Sequence, residues 1–151
     1  MNRLSKYFTL TALLFIQGCH NDDCKDYACF TPPMSFVFEI VDKETRENLF
    51  TNGTYSPEEI NVVNTENNSN KQFVFLDEDG INLISIGSIG WASEIEEVDI
   101  IIADDRIVTL YVDSERVSEN CCNFTRYNEI RIANAEFQLD TQSGIYTVYI
   151  N

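Results

Sequence analysis

Basic residues, histidine and long apolar runs are scarce in this chain, and each scarcity removes a class of function. Lys and Arg number 10 against 25 Asp and Glu, a formal charge of −15. Proteins that hold nucleic acid neutralise its phosphates with Lys and Arg, so no nucleic-acid partner is expected. The one histidine is His20. Beyond it the chain lacks the base that activates a serine or cysteine nucleophile, and histidine-based zinc and iron sites go with it. The six glycines form no phosphate-cradling loop. The apolar stretch Tyr7 to Ile16 covers ten residues, half of the roughly 20 needed for a membrane-crossing helix. Carboxylate pairs remain as conceivable acids and bases, but nothing marks Glu94, Glu96, Glu97 or Asp99 out from 25 candidates. No catalytic residue, no metal and no cofactor is expected.

What is present argues for a packed domain. Of the 151 residues, 44% are hydrophobic and 12% aromatic, too many for a disordered acidic tail. The length suits one domain.

The first eighteen residues join a basic start, Arg3 and Lys6, to the apolar stretch and then to Gln17 and Gly18. This is the layout of an export signal. Gly18 before Cys19, with Ile16 three residues ahead of it, resembles the lipobox of bacterial lipoproteins. That likeness implies cleavage before Cys19 and acylation of its thiol and new amino group. Several acyl chains together hold a protein on a membrane where one does not. Without the first eighteen residues 8 basic and 25 acidic residues remain, a charge near −17. His20, Asn21, Asp22 and Asp23 follow the cysteine, and an acidic patch there resembles the signal that sends Bacteroidota lipoproteins to the outer face of the outer membrane. A plain solvated tether is the competing reading.

Export to an oxidising space leaves Cys24, Cys29, Cys121 and Cys122, an even number. A bridge between the neighbours Cys121 and Cys122 would close a strained small ring. Cys24 and Cys29 are therefore expected each to pair with one of Cys121 and Cys122, fastening the tether to the domain. A four-thiolate zinc site is the rival, but its cysteine pairs are normally separated by two to four residues, whereas here Cys121 and Cys122 are adjacent.

From Ser35 onward short β-rich runs alternate with Asn, Asp, Gly and Pro clusters, and no helical period appears. Strands are expected at Phe36 to Val41, Ile60 to Val63, Gln72 to Leu76, Ile81 to Ile86, Ile95 to Ile102, Ile107 to Val112, Asn123 to Ile132, Glu136 to Leu139 and Ile145 to Ile150. Period-two alternation assigns one face to Phe36, Phe38 and Ile40, to Val98, Ile100 and Ile102, to Val108, Leu110 and Val112, and to Tyr146, Val148 and Ile150. Gly80, Asp104 with Asp105, and Ser143 with Gly144 mark hairpin turns. Ser56 to Glu59 reads as a capping box for one helical turn at most, and Asn64 to Asn70 as a polar loop. The fold expected is all-β: one domain, a two-sheet antiparallel β-sandwich of immunoglobulin-like or transthyretin-like type. The division is residues 1–18 as signal peptide, 19–33 as lipidated acidic tether and 34–151 as sandwich.

Thr31, Pro32 and Pro33, then Phe36, Phe38, Ile40, Val41, Asp42, Thr45, Asn48, Leu49, Phe50, Asn52, Gly53, Thr54 and Tyr55 are similar to a group of Bacteroidota envelope lipoproteins that carries no activity across. The likeness continues through Gly90, Trp91, Cys121, Cys122, Phe124 and Tyr127. Phe38 to Leu49 also looks like the opening hairpin of transthyretin-like and carboxypeptidase-regulatory sandwiches, except that Arg46 and Glu47 stand where those families place a glycine.

Two ligand chemistries remain. Calcium is suggested by Asp77 and Asp79, but Gly80 stands at the fourth position of such a loop, not the sixth, which favours a hairpin. Asp42, Asp104, Asp105 and Asp113 are further carboxylates at loop ends. Carbohydrate binding needs an exposed aromatic with polar neighbours, and Trp91, the only tryptophan, is the ligand-binding candidate, with Tyr55, Tyr111, Tyr127 and Tyr149 behind it. Tryptophan is largely buried on average, so a core position competes. The function expected is that of a monomeric, lipid-anchored envelope lipoprotein, a non-catalytic binding or structural module at the outer-membrane surface whose partner is an envelope protein or a surface glycan. A carbohydrate-binding or calcium-dependent adhesion module is the alternative. Cys19→Ser should move the protein from the membrane to the soluble fraction on cell fractionation; unchanged retention would exclude the anchor.

Overall fold

The computed structural model describes residues 29–119 and 121–151. Cys19, His20 and Cys24 lie outside them. The described chain is all-β, ten strands in two five-stranded sheets. In chain order the strands are β1 (Cys29–Phe30), β2 (Phe36–Asp42), β3 (Ile60–Asn64), β4 (Val74–Leu76), β5 (Leu83–Ile86), β6 (Glu94–Ile102), β7 (Asp105–Glu119), β8 (Cys122–Ala133), β9 (Glu136–Leu139) and β10 (Ile145–Ile150). The first sheet runs β1-β8-β7-β6-β3 and is curled; the second runs β4-β5-β2-β10-β9.

The alternation expected from sequence is what builds the core. Phe36, Phe38 and Ile40 on β2, Ile84 and Ile86 on β5, Val98, Ile100 and Ile102 on β6, and Val108, Leu110 and Val112 on β7 are all fully enclosed. Tyr146 and Val148 of β10 join the same cluster, and Ile150 packs against its margin. The aromatic members meet ring to ring: Phe38 stacks on Tyr146 with centroids 5.3 Å apart.

Turn chemistry closes the hairpins. Gly80 takes φ +76° between β4 and β5, which pair antiparallel. Between β6 and β7 both Ala103 and Asp104 adopt positive φ, the twist-matching two-residue turn. Pro57–Glu59 is a single 3-10 turn, with Glu59 accepting the Ser56 amide at 2.8 Å as in a capping box. The Asn64–Asn70 loop is hydrogen-bonded throughout: Asn64 Oδ1 accepts the amides of Glu66 and Asn67, and Asn68 donates back to the Asn64 carbonyl.

Three features depart from the sequence expectation. The sheets are not purely antiparallel, because β10 lies parallel to β2 from Ile145 opposite Val37 to Ile150 opposite Asp42, and β1 lies parallel to β8. A parallel neighbour needs a long crossover, and the hundred or so residues between β2 and β10 supply it. The central hairpin is also longer than its apolar pattern. β7 runs on to Glu119 through a register shift at Asp113/Ser114, and its outer end is tied to β8 by Arg126, which bonds Glu119 at 3.0 Å and approaches Glu115 at 3.5 Å. Main-chain pairing continues there where side-chain alternation has stopped. Lastly, β4 and β5 begin two residues later than the apolar runs that announce them.

Phe38→Ala should cost about 3–5 kcal/mol of stability, because it empties a fully enclosed ring site that the two sheets cannot both collapse into. Chemical denaturation of the two proteins measures it, and a loss below 1 kcal/mol would show the sheets to be loosely packed.

Candidate functional site

The loop joining β5 to β6, residues 87–93, sets the geometry around Trp91. Ile89 is fully enclosed in the core and pins the middle of the loop. Gly90 has φ +88°, and a Cβ built there would stand 3.0 Å from the Tyr127 hydroxyl and 3.1 Å from Thr125 Cγ2. The close approach lets Thr125 Oγ1 donate to the Gly90 carbonyl at 2.8 Å. Farther on, Ser93 Oγ accepts the Arg116 amide at 2.8 Å. With its flanks held, the loop turns Trp91 outward. The indole is 53% exposed and donates its N–H to the Gly87 carbonyl at 2.9 Å.

The N-terminal strand arrives at the same end. Cys29 and Cys122 are bridged across the β1–β8 pair. Thr31 extends the pairing by donating its amide to the Asn123 carbonyl at 2.9 Å, and the Met34 amide donates to the Tyr127 hydroxyl at 3.0 Å. Phe30 is thereby laid over Trp91, ring centroids 6.0 Å apart and planes inclined by 27°. The Arg116 guanidinium sits 5.4 Å from the Phe30 ring and donates to the Thr31 carbonyl and to Thr125 Oγ1. Burial pushes the Tyr127 phenol up in pKa, against the opposing effects of the Met34 amide and Arg116.

Beside Trp91 opens a groove of about 800 Å³ lined by Ser35, Lys71, Gln72, Phe73, Val74, Ser85, Gly87 and Ser88. Lys71 is ion-paired with Glu96, whose carboxylate is 4% exposed and points inward from β6. The contact is a charge pair, and removing Lys71 alone would strand a buried charge. Ser88 donates to the Gln72 carbonyl at 3.2 Å, tying the two walls together.

The other carboxylates singled out from sequence do not join them. Asp99 is buried on the opposite face of β6, where it accepts from Thr109 at 2.6 Å and pairs with Arg106 at 2.7 Å. Glu97 accepts from Thr65, and Glu94 is exposed. Asp42 accepts the amides of Thr45 and Glu44, and these bonds hold its pKa below the usual value, the Thr45 amide foremost. Asp113 meets Asn128, while Asp104 lies in the β6–β7 turn and Asp105 opens β7. Among the described residues no three His, Cys, Asp or Glu side chains stand close enough to hold a metal ion. Three of the reserve tyrosines are engaged elsewhere, Tyr111 under Arg131, Tyr149 under Arg46 and Tyr55 against Phe50, while Tyr127 backs the Trp91 loop with its ring edge-on to Phe36.

Of the four cysteines expected to bridge, Cys29 and Cys122 do so with each other, which leaves neither as a zinc thiolate; Cys121 is likewise disulfide-bonded. Sequence reasoning missed Phe30, Arg116 and the groove wall at Lys71, Gln72 and Ser88. The signal for Phe30 was its place next to Cys29: a bridge to Cys122 forces the following residues of both strands side by side. Comparison with family models, with curated proteins and with solved structures gives no match.

Gly90→Ala should destabilise the domain by about 1–3 kcal/mol and shift the emission of its one tryptophan. Gly53→Ala is the control, with φ +79° but nothing within 4 Å of the added Cβ. Equal losses in thermal unfolding for both variants would mean that the contacts with Tyr127 and Thr125 do not matter.

Proposed function

We propose that this chain is a lipid-anchored, non-catalytic binding protein of a bacterial outer membrane, akin to the Bacteroidota lipoproteins it resembles, and that it engages its partner through the Trp91 groove. The single observation behind the reading is that the only tryptophan is half exposed on a loop fixed from both sides, next to serines, a glutamine and an ion-paired lysine. A large aromatic left in water by so well-fastened a loop is unfavourable for stability alone, because covering it would gain about 1.5–3 kcal/mol. In fold the reading is a β-sandwich of immunoglobulin-like or transthyretin-like kind, with the tether meeting the end that carries the groove. Acylation at Cys19 supplies the address, and a monomer with charge near −17 repels anionic surfaces and copies of itself. Among the described residues Glu96 and Asp99 are paired with Lys71 and Arg106, Asp42 accepts main-chain amides, and no three carboxylates converge. For that reason neither acid–base chemistry nor calcium-dependent adhesion is the preferred reading.

A photoreactive residue placed at Gln72, on the groove, should give a specific adduct in living cells. The same residue at Gln138, on the far edge strand β9 of the second sheet, should not. Equal labelling at both, read by mass shift on gels, would remove the groove from consideration.

A further inference from the structure

Resting on that reading of the groove, we infer that Phe30 and Trp91 together form a two-ring stacking platform for a neutral saccharide, and that the Cys29–Cys122 bridge holds the second ring in place. Phe30 is 57% exposed and Trp91 53%, yet neither is loose. The indole is held by its bond to Gly87, and the phenyl ring by the bridge beside it and the Arg116 guanidinium against it. Two exposed rings with their order already fixed lose little freedom on binding, which is the physical meaning of preorganisation.

The surroundings select the ligand class. A sugar ring presents C–H groups on one face and hydroxyls around its rim. It therefore needs an aromatic surface with neutral donors and acceptors beside it, and Ser35, Gln72, Ser85 and Ser88 supply these. Among the described residues the two cations nearest the rings are already engaged, Lys71 by Glu96 and Arg116 by the Thr31 carbonyl, Thr125 Oγ1 and the Phe30 face, so a phosphate, sulfate or uronate meets no unengaged cation there. The acidic balance of the whole chain adds repulsion against any anionic ligand or anionic lipid surface. Charge thus favours a neutral glycan over an anionic one and over an anionic lipid surface.

The bridge makes the platform conditional on oxidation. A dithiol such as dithiothreitol passes two electrons to the Cys29–Cys122 bond, leaving two protein thiols and one cyclic disulfide on the reagent. Two-residue β1 then loses its covalent hold on β8 at Cys29 and keeps the short pairing, the Arg116 contacts and the Met34–Tyr127 bond, with Cys121 still disulfide-bonded. Cys29→Ser combined with Cys122→Ser opens the same bond without touching Cys121.

The test uses the full acylated chain in a detergent that contains no sugar, titrated by calorimetry with neutral gluco-, manno-, galacto- and xylo-oligosaccharides, with their uronate counterparts, and with phosphatidylcholine vesicles. At least one neutral series is expected to bind saturably, its uronate counterpart more weakly, and vesicles not at all. Trp91→Ala should abolish binding. Phe30→Ala, Phe30→Leu and the double serine variant should each weaken it about tenfold, the effect of losing one stacked ring. Phe30→Leu keeps an apolar side chain, so a loss shared with Phe30→Ala reports the ring and not the fold; unchanged thermal unfolding of both confirms this. No saturable binding to any neutral series would overturn the ligand class. Full affinity in both Phe30 variants would overturn the two-ring platform, and full affinity in the double serine variant would overturn the role of the bridge. Vesicle binding lost in Trp91→Ala would assign the site to lipid instead. Adducts at Gln72 in cells together with no sugar binding would sink this inference while leaving the groove as a binding surface.

Discussion

The Cys29–Cys122 bridge ties the start of the described chain to the outer end of the longest hairpin, and the Trp91 end of the molecule is arranged around that knot. Ninety-three residues separate the two cysteines. Closing so long a loop removes chain entropy from the unfolded state, about 4–5 kcal/mol in the loop-entropy account. Its local consequence is of equal weight. A strand of two residues has little pairing of its own, so the covalent bond, together with the Thr31 and Met34 hydrogen bonds and Arg116, holds β1 in the sheet and Phe30 on Trp91. Arg116 then uses one side chain to bind the β1 exit, the β8 wall and the phenyl ring.

Behind this end the two sheets share a single core whose inward residues come from six strands. The core is largely apolar, with Asn64 and Ser114 buried at its margins and the charged Glu96 of β6 buried beside Lys71, which reaches in to it. A lone buried carboxylate would cost several kcal/mol. Pairing it fixes Lys71 against the sheet, so the same contact that permits the burial also neutralises the ammonium on the groove wall. On the other face of β6 Asp99 is treated alike, by Arg106 and Thr109, with Asn134 donating to the Thr109 hydroxyl. Most of the acidic excess is spread over exposed strand edges and turns, where it serves solubility and self-repulsion.

In the function proposed above, tasks divide along the chain, with the Cys19 end as the proposed address. The sheets supply rigidity, and one short loop between β5 and β6 carries the exposed ring. Loops held by a stiff scaffold are the usual place for recognition, since their main chain is free to differ while their ends are fixed. Here the fixing is explicit: Ile89 inward, Gly90 against Tyr127 and Thr125, and Ser93 on the β7 amide of Arg116.

The sequence alone determined the class of fold, nearly all of the strands and the identity of the core. Side chains on a strand must alternate between faces, so Phe36–Phe38–Ile40 and Val98–Ile100–Ile102 could only lie together and inward. It located the turns at Gly80 and Gly144, since few residues but glycine accept positive φ, whereas the β6–β7 turn falls at Ala103 and Asp104, one residue before the expected Asp104–Asp105 pair. Tertiary structure alone decided the parallel placement of β10 beside β2, because strand neighbours far apart in the chain leave no local mark. It likewise decided where β7 and β8 end, since main-chain hydrogen bonds do not require an apolar pattern. Above all it decided the fate of Trp91: an aromatic in a β protein reads the same whether buried or bare, and only the packing of Ile89, Gly90 and the bridged Phe30 turns this one toward solvent.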